Sequence, residues 1–526
     1  MHRSQTLRVG AAILVAAGAL AFTTIPSSAA PIASAELPDG PALAKNLVKK
    51  VTGAGVNRHL IALQRIADKN AGTRAAGTPG HVQSAEYVEQ KLVEAGFDVT
   101  RNAFPFTFTQ TLAEKLVVAG KTVPISIMTY SLSTPTGGIT APLVVVPADA
   151  TPGCEAADYV GVTGKIALVQ RGACPFAQKQ QAAFDAGAVG VVVYNNVDGP
   201  LTGTLSDPAA AKLPIGGVTK ADGEALVAAS NGASTTLELR ALREDRTSYN
   251  VIAQTKTGRK NNVVMAGSHL DSVVAGPGLN DNGSGSAALL ETAIQLGGSP
   301  KVNNAVRFAW WSAEELGLVG SKKYVQGLPF EQQLDIALYL NFDMIASPNT
   351  GYFVYDGDNS DGVGAGEGPY GSAQIEAAFV NFLGATGTQT EGSDFTGRSD
   401  YGEFIANGIP SGGLFTGAEG VKTQAQADKW GGQAGVAYDK CYHAKCDNLG
   451  NLDRVALDRN SDAIAWVVGT YAISTEEING VPPRDLRAKA RVAAKSKMRL
   501  QLAAEDAAAH GGNEGVGCIH VDQVSA

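Results

Sequence analysis

Apolar positions recur at two different periods along this chain, and each change of period marks a change of organisation. Leu60, Leu63, Ile66 and Ala67 fall on one helical face. Tyr87, Val88, Leu92 and Val93 fall on a second, which stops at Gly96. Gly77-Thr78-Pro79-Gly80 breaks the chain between them, so residues 41–106 are predicted to form two helices and a strand over 97–108. Between 107 and 246 short β-branched runs take over, at 143–146, 165–169 and 190–194, divided by Gly, Pro and Asp turns and accompanied by one helical segment at 177–186. From Tyr249 onward buried strands (263–266, 305–311, 337–341) alternate with helices (286–296, 321–326). After about Glu477 the composition turns to Ala, Lys, Arg and Gln, which predicts a charged helix over 484–509. The pattern describes an α/β fold, a mixed and mostly parallel sheet flanked by helices, built from 40–106 and 247–476. A β-rich insert occupies 107–246 and an extension occupies 477–526.

The first residues carry a different signal. Arg3 and Arg8 precede an apolar run from Val9 to Phe22, followed by the small-x-small sites Ser28-Ala29-Ala30 and Ala33-Ser34-Ala35. This is the layout of a secretory signal peptide over 1–35, and the run is shorter than the roughly 20 residues that a membrane span needs. The expected product is secreted and extracellular, with no membrane association after cleavage. The 526 residues are 44% hydrophobic and 17% charged, enough apolar material for large cores and too much for wholesale disorder. A net charge of −8 supplies no basic footprint for nucleic acid. In an exported chain, nearby cysteines read as disulfides, and the local pairs are Cys154 with Cys174 and Cys441 with Cys446, which leaves Cys518 odd.

Acids and histidines cluster where strands end. His269-Leu270-Asp271-Ser272 follows the strand at 263–266, and a glycine-rich loop then presents Asn280-Asp281-Asn282-Gly283. The strand ending Trp310-Trp311 delivers Glu314 and Glu315, the next delivers Asp343, and Cys441-Tyr442-His443 lies on a loop that a disulfide would close. In an α/β sheet the carboxyl ends of strands line the functional crevice. Imidazole and carboxylate together suit zinc or a similar borderline cation. Five donors exceed one tetrahedral site and suit two metals sharing a carboxylate. His59, His81, His510 and His520 lie outside these segments and read as structural.

The segments Gly267-Ser268-His269-Leu270-Asp271-Ser272, Asn280-Asp281-Asn282-Gly283-Ser284-Gly285, Trp310-Trp311-Ser312-Ala313-Glu314-Glu315-Leu316-Gly317, Asn341-Phe342-Asp343-Met344 and Cys441-Tyr442-His443 resemble the co-catalytic zinc aminopeptidases of family M28, in family order. The resemblance implies a zinc exopeptidase-like fold and a secreted aminopeptidase with two Zn2+ per chain, acting as a monomer on peptide or protein N-termini. A large apolar, leucine-like first residue is implied in the same way. It implies Asp281 as the bridging carboxylate, His269 and Asp343 completing one zinc, and Glu315 and His443 completing the other. Glu314 would be the general base toward the water between the metals, Tyr442 the hydrogen-bond donor to the oxyanion, and Asp271 the residue orienting His269 through its other ring nitrogen. Arg398 matches a position near the substrate, its alternative being an ordinary loop ion pair. Asp458 and Asp462 resemble part of an accessory calcium site that has no clear acidic N-terminal counterpart here.

The insert has its own likeness. Gly164 to Gly172 with Phe176 and Ala186-Gly187-Ala188 resembles a protease-associated (PA) domain, a non-catalytic module expected to shape access to the neighbouring site. The extension after Glu477 reads either as a disordered end or as a removable prosegment or inhibitor, with removal after export favoured. Two rival readings stay open at this point: a dizinc carboxypeptidase or deacylase on the same scaffold, and a PA-containing binding protein without activity.

Overall fold

The computed structural model describes residues 42–364, 366–476 and 480–511. The expected leader at 1–35, Cys518 and His520 lie outside these residues, as does the side chain of His510.

Four parallel strands form the centre of the main sheet, in the order Ser411–Phe415, Ile336–Phe342, Arg259–His269, Asn304–Trp311. All of Ile336–Phe342 is buried, as a strand covered by helices on both faces must be. Successive side chains go to opposite faces: Val264 and Ala266 join one core with Leu289, Phe308, Leu340 and Ile464, whereas Met265 joins Trp311, Tyr339 and Phe404 on the other side. The helices Gly53–Lys69, Pro79–Glu94, Gly285–Leu296 and Arg454–Ile473 cover the first face. Thr52 starts the first of these by accepting from Gly55 N at 3.1 Å, and Leu60, Leu63 and Ala67 form its buried stripe. An additional helix, Ala42–Lys50, precedes the two predicted ones.

The strand predicted to stop at Phe108 continues to Val118. It does so because Ser234–Gln254, a strand whose charged stretch Arg240 to Arg246 hides any apolar alternation, pairs with it antiparallel from Asp98↔Gln254 to Val118↔Thr235. A β-bulge interrupts the register between Thr111 and Ala113. One end of Ser234–Gln254 pairs with Asn304–Trp311 and the other with Ile139–Val145, so this ribbon joins the main sheet to a second one. Phe106, the residue before the expected insert, and Arg246, its expected last residue, face each other within the ribbon.

The second sheet is mostly parallel: Ile139–Val145, Ile166–Gln170, Gly190–Tyr194 and Ile215–Val218, with Ser126–Ile127 antiparallel at its edge. Helix Phe176–Asp185 covers one face through Ala182 and Ala183, and Lys220–Ala229 covers the other through Leu226. Both local disulfides are formed, Cys154–Cys174 here and Cys441–Cys446 in the first domain.

The C-terminal helix Arg484–Gly511 lies against the main domain. Val481, Arg487, Arg491 and Met498 are buried. Arg487 donates to Leu334 O at 3.1 Å, and Arg491 donates to the carbonyls of Gln333 and Ile336. Gln333 and Leu334 sit in the last turn of the short helix Phe330–Asp335, and Ile336 opens the strand that follows it. Removal of the whole extension would therefore strip a packed surface.

Candidate active site

The parallel strands end side by side and release their loops at one edge. His269 is the last residue of Arg259–His269, Asp343 follows Ile336–Phe342, and Glu314 and Glu315 follow Asn304–Trp311. Asp281 comes from the turn that opens Gly285–Leu296, and its peptide bond to Asn282 is cis. His443 comes from the loop closed by Cys441–Cys446. Ala313, Met344 and His443 all have left-handed backbone, at φ 58, 49 and 54, so the main chain turns sharply at three of the delivering segments.

Asp281 stands between the two imidazoles. Its Oδ1 lies 3.2 Å from His269 Nε2 and its Oδ2 lies 3.2 Å from His443 Nε2. Asp343 Oδ1 is 3.2 Å from His269 Nε2, and Glu315 Oε2 is 3.0 Å from His443 Nε2. Ligands about 2.0–2.2 Å from a tetrahedral zinc stand roughly 3.3 Å from one another, so these spacings fit zinc between the donors. His269, Asp281 and Glu315 place donor atoms within 4.8 Å of one another, and so do His269, Glu314 and Asp343. Glu315 Oε1 is buried without a partner, an acceptor left for a cation to use.

The charge balance points the same way. Burial pushes the Glu315 carboxyl up to about 7, with Asp281 adding repulsion, and burial raises Glu314 well above the usual range with help from Asp343 and Asp400. Burial also opposes ionisation of Asp281, yet hydrogen bonds from His269 and His443 hold its carboxyl below the usual range. At His443 burial works against the proton, but Glu315 and Asp281 outweigh it and push the imidazole up to about 11. A dense, buried set of carboxylates with too few cations of its own is the donor chemistry that a divalent metal completes.

Other sequence-derived candidates are placed as follows. His269 Nδ1 donates to the main-chain carbonyl of Asp271 at 3.1 Å, while the Asp271 carboxylate stands 3.8 Å away. The Asp271 carboxylate also accepts from Glu314 N at 3.3 Å through Oδ1, while its Oδ2 is buried without a hydrogen-bond partner. The Tyr442 ring stacks on His443 at 3.8 Å, and its hydroxyl is 3.5 Å from Arg398 Nη2. Arg398 also pairs with Glu419 at 2.8 Å. Asp458 Oδ1 accepts from Gly53 N at 2.7 Å, and among the described residues neither Asp458 nor Asp462 belongs to a three-donor cluster. His59 bridges Glu291 and Tyr87, whereas His81 is buried with neither ring nitrogen partnered.

Sequence reasoning missed the residues that hold these groups. Asp447 is buried and accepts from Asn280 N at 2.8 Å and Asp281 N at 3.0 Å. Arg74 is fully buried and donates to Leu270 O, to Pro277 O at 2.8 Å and to Gly278 O at 2.5 Å, tying down the loop between His269 and Asp281. Ser399 Oγ donates to Asp343 Oδ2 at 2.6 Å, and Asn282 Nδ2 donates to Ser268 Oγ and Phe342 O. None of these sits at a periodic position. The only signals were an arginine inside a glycine-rich turn and an aspartate just past the second disulfide.

The surroundings are uneven in access. The His269 side chain is 1% exposed and that of His443 is 24% exposed, on the side where a cleft of about 440 Å3 opens past Glu315 and Leu316.

Comparison with known proteins agrees with this geometry. The family model for peptidase family M28 matches residues 250–468, and that for the PA domain matches residues 139–226. The probable lipoprotein aminopeptidase LpqL of Mycobacterium tuberculosis is 47% identical over 484 residues, covering 90% of this chain and 96% of the relative. The probable leucine aminopeptidase 2 of Aspergillus fumigatus is 46% identical over 420 residues, covering 78% and 81%. Among solved structures, the zinc aminopeptidase BSAP from Bacillus subtilis aligns with a TM-score of 0.56 at 26% identity, covering 81% of this chain and 95% of that one. The chain belongs to peptidase family M28 and carries a PA domain. It is a metallo-aminopeptidase of the zinc-peptidase type, a hydrolase acting on peptides.

Proposed function

We propose that the protein is an exported dizinc aminopeptidase that removes large apolar, leucine-like residues from peptide N-termini. The observation that carries this reading is Asp281, whose two oxygens face two different imidazoles at 3.2 Å each. His269, Asp281 and Asp343 would hold one zinc, and His443, Asp281 and Glu315 the other. When bound, such a pair supplies Lewis acidity, activating water and polarising the scissile carbonyl.

The remaining chemistry falls to the chain itself. Glu314 takes a proton from the attacking water and returns it to the leaving amine. Its carboxylate stands beside the donors, 3.9 Å from His269 Nε2, within reach of a water held there. Tyr442 donates its hydroxyl hydrogen to the oxygen that becomes negative, and Arg398 steadies that phenol. Ser399 and the Asp271 carbonyl keep Asp343 and His269 from turning. The leucine-like preference is supported by the name of the Aspergillus relative.

Export is supported by the leader-like N-terminus and by two disulfides. No helix among the described residues is long and apolar enough to cross a membrane. Calcium is not part of the proposal, since among the described residues neither Asp458 nor Asp462 belongs to a three-donor cluster.

The test is hydrolysis of leucine p-nitroanilide and of its N-acetyl form, before and after chelation and after zinc is restored, alongside metal analysis. Cleavage of the free-amine substrate alone, chelator-sensitive and zinc-restored, with two zincs per chain, is expected. Equal cleavage of the acetylated substrate, or a full-activity stoichiometry of one zinc, would refute it.

A further inference from the structure

An enzyme that releases one residue from a chain end must leave the rest of the peptide an open way out. The cleft beside His443 leads away from the donors between the loop at Val274, Leu316 and the ribbon strand Asp98–Val118. Its far wall is a run of four consecutive ribbon residues, Phe108 to Thr111. On one edge these pair with Glu244, Arg243, Leu242 and Ala241 of Ser234–Gln254. The other edge meets a strand only further on, at Leu116–Val118. In an antiparallel pair alternate residues turn both N–H and C=O away from the partner strand, so this stretch offers donors and acceptors into the cleft. Among the described residues, no side-chain hydrogen bond engages Thr109, Gln110 or Thr111. Val274 and Leu316 supply apolar surface opposite, with Leu316 36% exposed. Just beyond, the bulge between Thr111 and Ala113 ends the regular edge.

We propose that this edge is a subsite for the substrate chain downstream of the scissile bond. The residues after that bond lie extended along Phe108 to Thr111, with backbone pairing to the free edge and the first downstream side chain against Val274 and Leu316. Main-chain pairing supplies affinity independent of sequence, and the apolar patch favours an apolar residue after the cleaved bond. Four ribbon residues span roughly 13 Å, room for about four substrate residues, after which the bulge turns the edge away. The PA-bearing ribbon therefore sets the length preference of the peptidase. The proposal rests on the active-site reading above.

The test uses the full-length zinc-loaded protein with leucine-initiated peptides of two to seven residues and with leucine p-nitroanilide. For the parent, kcat/KM is expected to rise to about five residues and then level off. In Gln110→Trp, and independently in Thr111→Trp, the preference for the pentapeptide over leucine p-nitroanilide is expected to fall about tenfold. A parent rate independent of peptide length, or an unchanged preference in both variants, overturns the subsite. A zinc-loaded parent inert toward leucine p-nitroanilide overturns the active-site reading itself, and the subsite with it.

Discussion

Replacing Asp447 with alanine removes a side chain that touches no proposed zinc ligand through its side chain, yet the effect is expected at the metal centre. Asp447 takes the main-chain N–H groups of Asn280 at 2.8 Å and Asp281 at 3.0 Å, and Asn451 Nδ2 donates to it at 3.2 Å. Truncation leaves two buried backbone donors unpaired, at about 1–3 kcal/mol each, so a loss of roughly 2–6 kcal/mol is spread over that turn. Part of it appears as lost stability and part as freedom of Asp281 to leave its position between the imidazoles. Residues that support metal ligands in this way typically contribute 10–100-fold in metal affinity. Asp447→Ala is therefore expected to weaken zinc binding within that range and to lower the unfolding midpoint of the zinc-free protein. Asp447→Asn, which keeps one acceptor oxygen, should fall between the two. Zinc affinity is read by competition with a chromophoric chelator, and stability by urea unfolding of the zinc-free form. Parental zinc affinity in the alanine variant would show that Asp281 is held in place by something else.

Three further outcomes follow from the same geometry. Glu314→Gln should retain zinc while turnover falls by about 10²–10⁴, whereas Glu315→Ala should lose zinc, and metal analysis beside kcat separates them. His81 is buried and burial lowers its imidazole from 6.5 to about 4. Because the folded value lies below the unfolded one, its stability contribution is complete above pH 6.5 and is lost as pH falls toward 4, by up to about 1.4 kcal/mol per pH unit. His81→Phe should show a shallower fall in urea midpoint between pH 7 and 5, and an unchanged slope would count against the burial account. Ending the chain after Gly480 removes buried Arg487, Arg491 and Met498 and should destabilise the fold by several kcal/mol, whereas ending it after Ala503 should leave the midpoint within about 0.5 kcal/mol. Equal midpoints for the two truncations would refute the packing role of that helix.

The features legible from the chain alone are local ones. The buried strands at Arg259–His269, Asn304–Trp311 and Ile336–Phe342 announce themselves by apolar runs of the right length, and the acids and histidines follow them directly in the chain. Helix Gly285–Leu296 and the two disulfides are equally short-range, since spacing alone brings their residues near. Features that join distant segments came to light with the folded chain. The strand Ser234–Gln254 was not read as one element because its charged middle, Arg240 to Arg246, separates the alternating buried residues Leu237 and Leu239 from Val251 and Ala253, and its partner ran past Phe108 only because that strand was there to pair with it. Asp447 and Arg74 were silent for a related reason: each does its work through backbone groups far away in sequence, and a hydrogen bond to a carbonyl or an amide leaves no mark on the residue type at the other end. Which oxygen of Asp281 faces which imidazole, and which wall of the cleft the ribbon supplies, are likewise properties of packing, where elements separated in the chain converge on the carboxyl edge of one sheet.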